Sequence, residues 1–454
     1  MIKIYLRKII KLKKIILLVL IFISFEVYSS TAVKFSDRIE VYSLPNKLKV
    51  ILLEDKRNPI AISSIWYKVG SSYEIKGKTG ISHVLEHMMF KGTQKIKAGE
   101  FSKIIKKFGG SENAFTGRDF TGYYQKVNKI YLEKCLEMEA DRMSNLVLKQ
   151  SDFEKELNVV KEERRLRVDD RPIPKAFEKI LQQAFGYNEY GIPIIGTMDD
   201  LSNLELDDLQ SWYKKFYTPE NATLIIAGDI DKVGVKQLIE KYFLPIKNKD
   251  FTAKIDQLDN HKTNFDDIIL KDSISNPTIL ISFIQPKFNR DDRLEHYKID
   301  LLLELMDGGS SSRLTKNLVD KKKVALETFI SSDTYPMKKN IIAIGAIPRK
   351  NISIETLRDE IFLQFKDIVE KGITDKEFES LKSRLSANSI FKLDSLFGQV
   401  MRIGILESKK IGWETLDYYI DDMNKITKND LIDTAKKYFI DRDFIFTVIH
   451  PNTT

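Results

Sequence analysis

The chain repeats part of its own sequence, and this repeat constrains the fold more than any other feature. Residues 208–217 read Asp-Leu-Gln-Ser-Trp-Tyr-Lys-Lys-Phe-Tyr, and residues 430–439 read Asp-Leu-Ile-Asp-Thr-Ala-Lys-Lys-Tyr-Phe, a shift of 222 positions without a gap. A strand-like segment follows each copy, at Ala222 to Ala227 and at Phe444 to Ile449. Self-similarity at a fixed spacing indicates a duplicated unit. We therefore expect two copies of one domain, each closing with a helix, a turn and a strand.

The order of strand-like and helix-like segments indicates the fold class. Strands are predicted at Lys49 to Leu53 and at Ile60 to Val69, before helical segments, and a strand at Thr278 to Ile284 is predicted to open the second copy. This order is typical of sheets that carry their helices on one face. The sequence therefore predicts an α+β fold of two homologous layered domains, each a mixed β-sheet with helices packed on one face.

The chain length agrees with two domains. The sequence has 454 residues, and domains of roughly 100–200 residues are the most common size. We place a first domain at residues 36–246, a polar linker at residues 247–267 and a second domain at residues 268–454. Residues 1–30 are not expected to belong to either domain.

The first 30 residues have the composition of a secretory signal peptide. Six basic residues lie between Lys3 and Lys14, a run of 11 mostly apolar residues extends from Ile15 to Phe25, and small residues follow. A membrane-spanning helix needs about 20 apolar residues, and a mitochondrial transit peptide is amphipathic and less apolar, so an export signal fits best. Cleavage after Ser29 and cleavage after Ala32 both satisfy the pattern. We expect no stable membrane insertion of the mature chain.

The net charge limits the class of ligand that the chain can bind, and the cysteine content limits the cellular compartment in which it can function. The net charge of the whole chain is +8, and residues 1–29 hold six bases and one acid, so the remainder carries a charge near +3, from 8 minus 5. That balance does not indicate nucleic-acid binding. Cys135 is the only cysteine, so no disulfide can form within the chain, and export must be to a compartment where the fold survives without one. A bacterial periplasm is the predicted location.

Three residues with metal and acid–base chemistry fall within five positions of the first copy. On a helix, His83 and His87 lie one turn apart on the same face, and Glu86 lies beside them. Two imidazoles in this arrangement are suited to bind zinc, and the adjacent carboxylate is suited to act as a general base. The order His-x-x-Glu-His is the reverse of the more common His-Glu-x-x-His zinc helix.

A third ligand is expected, because a catalytic zinc ion normally has three protein ligands and one open position. Residues 153–164 read as an amphipathic helix, on which Glu156 and Glu163 share a face because they are seven residues apart. The histidine motif, followed by Glu163 76 residues after His87, resembles the pitrilysin and mitochondrial processing peptidase family of zinc metallopeptidases, in its single-copy, two-domain bacterial form.

This resemblance implies a role for each residue. In the family the two histidines and the distal glutamate hold zinc, which gives one zinc ion per chain at His83, His87 and Glu163. The glutamate inside the motif, Glu86, is the catalytic general base, and Glu156 is expected to accept a ring N–H from one histidine and to support the site. The resemblance also implies that the two domains form half of a clamshell.

The second copy lacks the metal-binding residues of the first. At a shift of 218 positions, the two histidines correspond to Leu301 and Leu305. The second domain is therefore expected to be an inactive homologous domain without a metal.

The second domain departs from the family pattern at two positions, and this departure indicates that the protein needs a partner subunit. In the family, an arginine and a tyrosine of this domain help to hold substrate near the zinc, but the matching positions here are Val319 and Leu326. Neither side chain can donate a hydrogen bond. We therefore expect a heterodimer with a paralogous subunit that lacks the histidine motif and supplies the missing pair. A homodimer is the less favoured alternative, because the second copy of the chain would bring the same two apolar residues to the substrate.

A glycine-rich segment of the first domain, residues 109–124, resembles the substrate-binding strand of the family. Two glycines signal a turn, and the alternation that follows suits a strand at the edge of a sheet. A free edge offers unpaired backbone groups, so an unfolded peptide can add to it as a strand. Asn113 and Ala114 are the candidate substrate-binding residues. The alternative is a hairpin with an ordinary turn at Asn113.

The function indicated by these features is that of a secreted zinc-dependent endopeptidase that hydrolyses extended peptides or small unfolded proteins as the catalytic subunit of a dimer. Two alternatives remain from the sequence. One is a maturation peptidase dedicated to a single secreted precursor, and the other is a non-catalytic subunit that binds peptides or builds an assembly.

Overall fold

The computed structural model describes residues 35–249 and 265–452, here named the first half and the second half. The predicted signal peptide, residues 1–30, and most of the predicted linker, residues 247–267, lie outside the described residues. Each half contains one β-sheet and its own set of helices. No helix in the described ranges has both the length and the apolar character needed to cross a bilayer.

The described strands form one sheet in each half. The strands of the first half are β1 (Ile39–Ser43), β2 (Lys49–Glu54), β3 (Ile60–Tyr67), β4 (Ser111–Thr116), β5 (Thr121–Asn128) and β6 (Ala222–Gly228). The strands of the second half are β7 (Ile268–Asp272), β8 (Thr278–Gln285), β9 (Ala325–Ser331), β10 (Asn340–Pro348) and β11 (Ile445–Pro451).

The helices are distributed between the same two halves. The α-helices of the first half are α1 (Ile81–Met88), α2 (Glu100–Lys107), α3 (Leu132–Asn145), α4 (Gln150–Arg164), α5 (Pro172–Phe185), α6 (Met198–Ser202), α7 (Leu206–Phe216) and α8 (Lys232–Phe243). Those of the second half are α9 (Arg293–Asp307), α10 (Ile354–Lys371), α11 (Asp375–Asp394), α12 (Leu396–Ser408), α13 (Thr415–Lys425) and α14 (Lys428–Phe439). A π-helical segment, Arg165–Asp169, directly follows α4.

Both sheets are mixed and share one strand order. The first sheet has the order β1-β2-β6-β3-β5-β4, in which β2 and β6 are parallel and the other neighbours are antiparallel. The second has the order β7-β11-β8-β10-β9, again with one parallel pair, β7 and β11. The second sheet therefore repeats β2-β6-β3-β5-β4, and the predicted α+β fold of two homologous layered domains is confirmed.

The second copy begins one strand earlier than the sequence indicated. The predicted opening strand, Thr278 to Ile284, corresponds to β8, and β7 precedes it. Strand β7 is half-buried or exposed at every position, so it lacks the apolar run that marks β8. The first sheet also has an additional edge strand, β1, which has no counterpart in the second sheet.

The repeated segment has the same local structure in both halves. Helices α7 and α14 each begin with a reciprocal capping box, formed by Glu205 with Asp208 and by Thr427 with Asp430. In each box the side chains and backbone amides of the first helical turn satisfy one another. The two boxes lie 222 residues apart, and a buried strand, β6 or β11, follows each helix.

Each sheet packs one face against helices of its own half and the other face against a helix of the opposite half. In the first sheet, Trp66 and Ile62 contact the apolar side of α12, which includes Val400 and Ile403. In the second sheet, apolar side chains of β8, β10 and β11 contact the apolar side of α5, which includes Ile180. The two halves therefore complete each other's cores.

Candidate zinc site

Helix α1 carries the histidine motif and begins after a glycine that another residue could not easily replace. Gly80 has a φ of 90°, and a Cβ atom there would lie 2.7 Å from the carbonyl oxygen of Ile195. Only glycine adopts this conformation without strain. The close approach fixes where α1 starts and therefore where its first turn points.

Two acidic side chains hold the residues around the start of α1. Glu74 accepts hydrogen bonds from the backbone N–H groups of Gly80 and Ser82, at 2.6 and 2.9 Å. Asp200 accepts hydrogen bonds from the backbone N–H and the hydroxyl of Thr79, at 3.1 and 2.6 Å. Carboxylates near a helix N-terminus satisfy otherwise unpaired amides and interact favourably with the helix dipole.

The three predicted ligands converge on one point. His83 and His87 project from α1, and Glu163 projects from the last turn of α4, which packs against α1. One ligand atom from each residue lies within 4.8 Å of the others. Glu163 Oε2 lies 3.3 Å from His87 Nε2 and 3.8 Å from His83 Nε2.

These separations suit a zinc ion. Tetrahedral zinc with bonds of about 2.0–2.1 Å places neighbouring ligand atoms about 3.4 Å apart. Both imidazoles present Nε2 to the same carboxylate oxygen, and two nitrogens with one oxygen form a donor set that zinc accepts readily. Within the two described ranges, these residues are the one group of three or more His, Cys, Asp or Glu side chains with metal-binding spacing.

The surroundings of His83 favour the neutral imidazole that a metal requires. His83 is buried, and burial together with nearby His87 and Arg167 lowers its pKa to about 3. A histidine must be deprotonated at the coordinating nitrogen to bind a metal ion. Among the described residues, its Nδ1 atom has no hydrogen-bond partner.

Glu156 and Arg167 contact two of the predicted ligands from outside the site. Glu156 Oε2 lies 3.2 Å from His87 Nδ1, and its other oxygen lies 2.5 Å from Lys91 Nζ. When Nδ1 donates to Glu156, Nε2 of the same ring is left free to coordinate. Arg167, in the π-helical segment, contacts Glu163 Oε1 at 2.8 Å, so Glu163 keeps Oε2 toward the histidines.

Glu86 lies beside the predicted ligands, but its side chain is held by a different element. Its side chain is buried, and Oε2 accepts a hydrogen bond of 2.6 Å from the hydroxyl of Thr116 in β4. Burial raises the pKa of Glu86, while the Thr116 hydrogen bond and nearby His87 act in the opposite direction. A carboxylate with a raised pKa is better suited to accept and return a proton near neutral pH.

Strand β4 forms the outer edge of the first sheet next to α1. It pairs with β5 on one side, and no described strand pairs with its other side. Asn113 is exposed, whereas Ala114 is buried beside the helix. Residues 109–124 do form a hairpin, but its turn lies at residues 117–120 and Asn113 lies within β4. The edge strand and the hairpin are therefore two descriptions of one element.

Several residues around the site were missed from the sequence. Thr116 carries a weak signal, because it alternates with Ala114 and so shares its side of the strand. Arg167 lies one turn after Glu163, which is the usual spacing of a helical ion pair. Glu74 and Asp200 carry no sequence signal for their contacts with the start of α1, because those contacts depend on tertiary folding.

The second half places no metal-binding residues at the corresponding positions. Leu301 and Leu305 are buried in the apolar core on α9. Val319 is half-buried, in a π-helical segment at residues 315–321, and packs against the same core. Leu326 is 43% exposed on β9, the edge strand of the second sheet.

Two family models match the chain, one in each part. Residues 49–198 match the insulinase family of peptidases, family M16, and residues 203–385 match the inactive domain of the same family. The first match contains the histidine motif and Glu163, and the second contains Leu301 and Leu305.

Named relatives and solved structures agree with these matches. The chain is 32% identical to the zinc protease PqqE of Helicobacter pylori over 91% of this chain and 93% of the relative. It is 26% identical to an uncharacterized zinc protease of Bacillus subtilis, YmxG, over 91% of this chain and 98% of the relative.

Among solved structures, a protease from Helicobacter pylori superposes with a TM-score of 0.85 at 30% identity, covering 91% of this chain and 99% of that one. The first half of the periplasmic protease PqqL from Escherichia coli has the same fold, with a TM-score of 0.78 at 16% identity and coverage of 93% of each chain. The family expected from the histidine motif is confirmed: the chain belongs to the insulinase family of peptidases, peptidase family M16.

Proposed function

We propose that this protein is a zinc-dependent endopeptidase of the periplasm that hydrolyses extended peptides or small unfolded proteins, as the catalytic subunit of a dimer. One observation carries the proposal. Three side chains with metal-binding spacing, His83, His87 and Glu163, lie beside a buried carboxylate, Glu86, and an open strand edge, β4. Such a grouping supplies a metal, a base and a place for the substrate backbone.

The residues divide the chemical work. His83, His87 and Glu163 would hold the zinc ion. The chemistry that bound zinc supplies is Lewis-acid activation of a water molecule and of a peptide carbonyl. Thr116 engages Oε2 of Glu86, so Oε1 is positioned to take a proton from the attacking water and to return it to the leaving amine.

The open edge of β4 supports a substrate that is extended. A peptide that adds to this edge is bound mainly through its backbone, so its sequence matters less than its lack of structure. Asn113 and Ala114 lie on the strand that such a peptide would pair with. A segment whose backbone groups are already paired inside a folded protein cannot add to this edge, which accounts for the proposed preference for unfolded chains.

Three features support a periplasmic location. The first 30 residues have the pattern of an export signal, with a basic segment before an apolar run. The structural relative from Escherichia coli is described as a periplasmic protease. The single cysteine, Cys135, is buried, so the fold does not depend on a disulfide within the chain.

Val319 and Leu326 support the need for a partner. Both side chains are apolar, and Leu326 is exposed at a sheet edge where the family resemblance implies a substrate-binding tyrosine. The proposed partner is a paralogous subunit without the histidine motif that supplies hydrogen-bond donors to the substrate. A homodimer would repeat the same apolar positions.

A single substitution tests the catalytic proposal. Glu86→Gln removes the base and leaves the three proposed ligands, so we expect retained zinc and peptide binding with a loss of about 100- to 10,000-fold in kcat. The assay is cleavage of a mixed peptide library, with zinc measured by elemental analysis. Glu162→Gln makes the same charge change at an exposed position next to Glu163 and serves as the control. Wild-type rates from Glu86→Gln would refute the assignment, and a wild-type chain that binds peptides without cutting them would favour a binding subunit.

The partner is tested by comparing the purified chain alone with the chain co-expressed with a neighbouring paralogous subunit. We expect peptide cleavage to increase strongly with the partner, because the partner supplies the missing donors to the substrate. Full activity from the chain alone, unchanged by the partner, would contradict the heterodimer.

A further inference from the structure

We infer that Thr116 is a positioning residue that holds Glu86 in the orientation the reaction needs. The inference rests on the proposed function, because it concerns the base of that reaction. The observation behind it is the hydrogen bond of 2.6 Å from the Thr116 hydroxyl to Glu86 Oε2. Glu86 belongs to α1 and Thr116 belongs to β4, so this bond links the helix that carries the motif to the strand that faces the substrate.

The hydroxyl is held in place by its strand. Successive side chains of a strand point to opposite faces, so Ala114 and Thr116 face α1 while Asn113 and Phe115 face the other way. Phe115 packs edge-on against Trp66 with ring centroids 5.0 Å apart, which fixes the rotation of the strand. Thr116 therefore has little freedom to turn its hydroxyl away from Glu86.

The turn that follows Thr116 is anchored to the segment before α1. Ser71 and Ser72 donate backbone hydrogen bonds to the carbonyl oxygens of Gly117 and Arg118, at 3.2 and 2.9 Å. Arg118 in turn donates to the carbonyl oxygen of Tyr190 at 2.7 Å. The end of β4 is thus tied to two other segments, and a group on it is a suitable reference point for a catalytic side chain.

A buried carboxylate without such a donor could rotate about its side-chain bonds. With Oε2 engaged by Thr116, Oε1 is directed to one position, and the reaction gains from the fixed geometry. The bond also links the base to Thr116, which lies two residues after Ala114 on the same strand. A peptide that pairs with the edge of β4 would therefore contact the strand that orients the base.

The test uses three variants and the full protein. Thr116→Val keeps the shape of the side chain and the strand preference but removes the hydroxyl, and Thr116→Ser restores it. The matched control is Thr121→Val. Thr121 is the residue opposite Thr116 in the hairpin, and its buried hydroxyl donates to the Val69 carbonyl at 2.9 Å without contacting Glu86.

We expect Thr116→Val to lower kcat by about 10- to 100-fold, the usual effect of removing a group that orients an active-site residue, with KM changed less than about threefold and zinc content unchanged. Thr116→Ser should recover most of kcat. Thr121→Val should lower the melting temperature but keep kcat. Equal kcat in wild type and Thr116→Val, or no recovery in Thr116→Ser, would overturn the inference.

A second readout does not depend on activity. In crystal structures, the Glu86 carboxylate should occupy one position in wild type, Thr116→Ser and Thr121→Val, and should move or split into several positions in Thr116→Val. An unmoved Glu86 in Thr116→Val would overturn the inference. A wild-type chain that cleaves no peptide with zinc and partner present would instead refute the proposed function, while the position of Glu86 would still decide the role of Thr116.

Discussion

Glu74 is a carboxyl group in an unusual position, because it is 2% exposed and yet lies at the start of the helix that carries the histidine motif. Two backbone N–H groups donate to it, which favours its charged form. Burial acts more strongly in the opposite direction and raises its pKa to about 8. The start of α1 therefore depends on a group that titrates near neutral pH.

The raised pKa of Glu74 predicts a pH dependence of stability. Between about pH 4.5 and 8 the folded state binds a proton at Glu74 that the unfolded state has lost, so the free energy of unfolding falls as pH rises, by up to about 1.4 kcal/mol per pH unit. Below pH 4.5 both states are protonated, and this contribution is fully retained. In Glu74→Gln the decline should be smaller, because the residue no longer titrates.

The measurement is urea unfolding of wild type and Glu74→Gln at pH 5, 6, 7 and 8, with a chelator present so that zinc binding does not add its own pH dependence. Glu162→Gln is again a matched control, because Glu162 is exposed. Parallel pH profiles for wild type and Glu74→Gln would contradict the assignment of a raised pKa to Glu74.

At the scale of single residues, the sequence predicted those side-chain positions that follow from spacing along a helix. The facing of His83 and His87 follows from helical periodicity, and the place of Glu163 followed from the family resemblance. The contacts of Thr116 with Glu86 and of Glu74 with α1 could not be predicted, because each joins segments whose distance in space depends on the packing of the whole domain.

At the scale of elements, α12 of the second half packs directly against the first sheet. Gly404 faces Trp66, and a Cβ atom at position 404 would lie 1.9 Å from the nearest atom of the indole ring. Trp66 is fully buried between α12 and the first sheet. The absence of a side chain at Gly404 is what allows the helix to lie this close to the strand.

Gly404→Ala should therefore destabilise the protein, although alanine in a helix interior is normally better than glycine by about 1 kcal/mol. Overpacking in a filled core costs about 1–3 kcal/mol, so we expect a net loss, measured as a lower urea midpoint. If the clash is the cause, adding Gly404→Ala to a Trp66→Leu background should cost much less, which a double-mutant cycle would show. An increase in stability from Gly404→Ala alone would contradict the contact.

The sequence predicted the repeated helices and strands better than it predicted which elements pack against each other. The order of helix, turn and strand at residues 208–227 and 430–449 was visible as a repeat, and capping boxes begin α7 and α14 in the structure. The crossing of α5 and α12 to the opposite sheets was not predicted. An amphipathic pattern shows that a helix buries one side, but it does not say which sheet receives that side.

At the scale of the whole molecule, the two halves are not independent. Without α12, the side of the first sheet that contains Trp66 and Ile62 would face water, and without α5 the second sheet would lose the cover that includes Ile180. Exposed apolar patches of this kind favour association or aggregation. The halves should therefore remain together when the chain between them is cut.

This expectation is tested by inserting a protease site between residues 249 and 265. After cleavage under native conditions, the two pieces should elute together in size-exclusion chromatography and separate only in denaturant. The same pieces expressed singly should be insoluble or should bind a hydrophobic dye. Two soluble, separately folded pieces after cleavage would contradict the mutual dependence of the sheets.

Because α12 of the second half covers one face of the first sheet, it also determines when the folding of the first sheet can be completed. The last strand of the first sheet ends at Gly228, but α12 ends at Ser408, 180 residues later. At about 5–20 residues per second, a ribosome needs roughly 10–35 s to make that interval. The sheet that is synthesised first is thus among the last parts of the protein to have its apolar face buried. If the chain crosses a membrane before it folds, on the way to its proposed location in the periplasm, this delay keeps the chain unfolded long enough to cross. The first half is then completed only when nearly the whole protein has arrived.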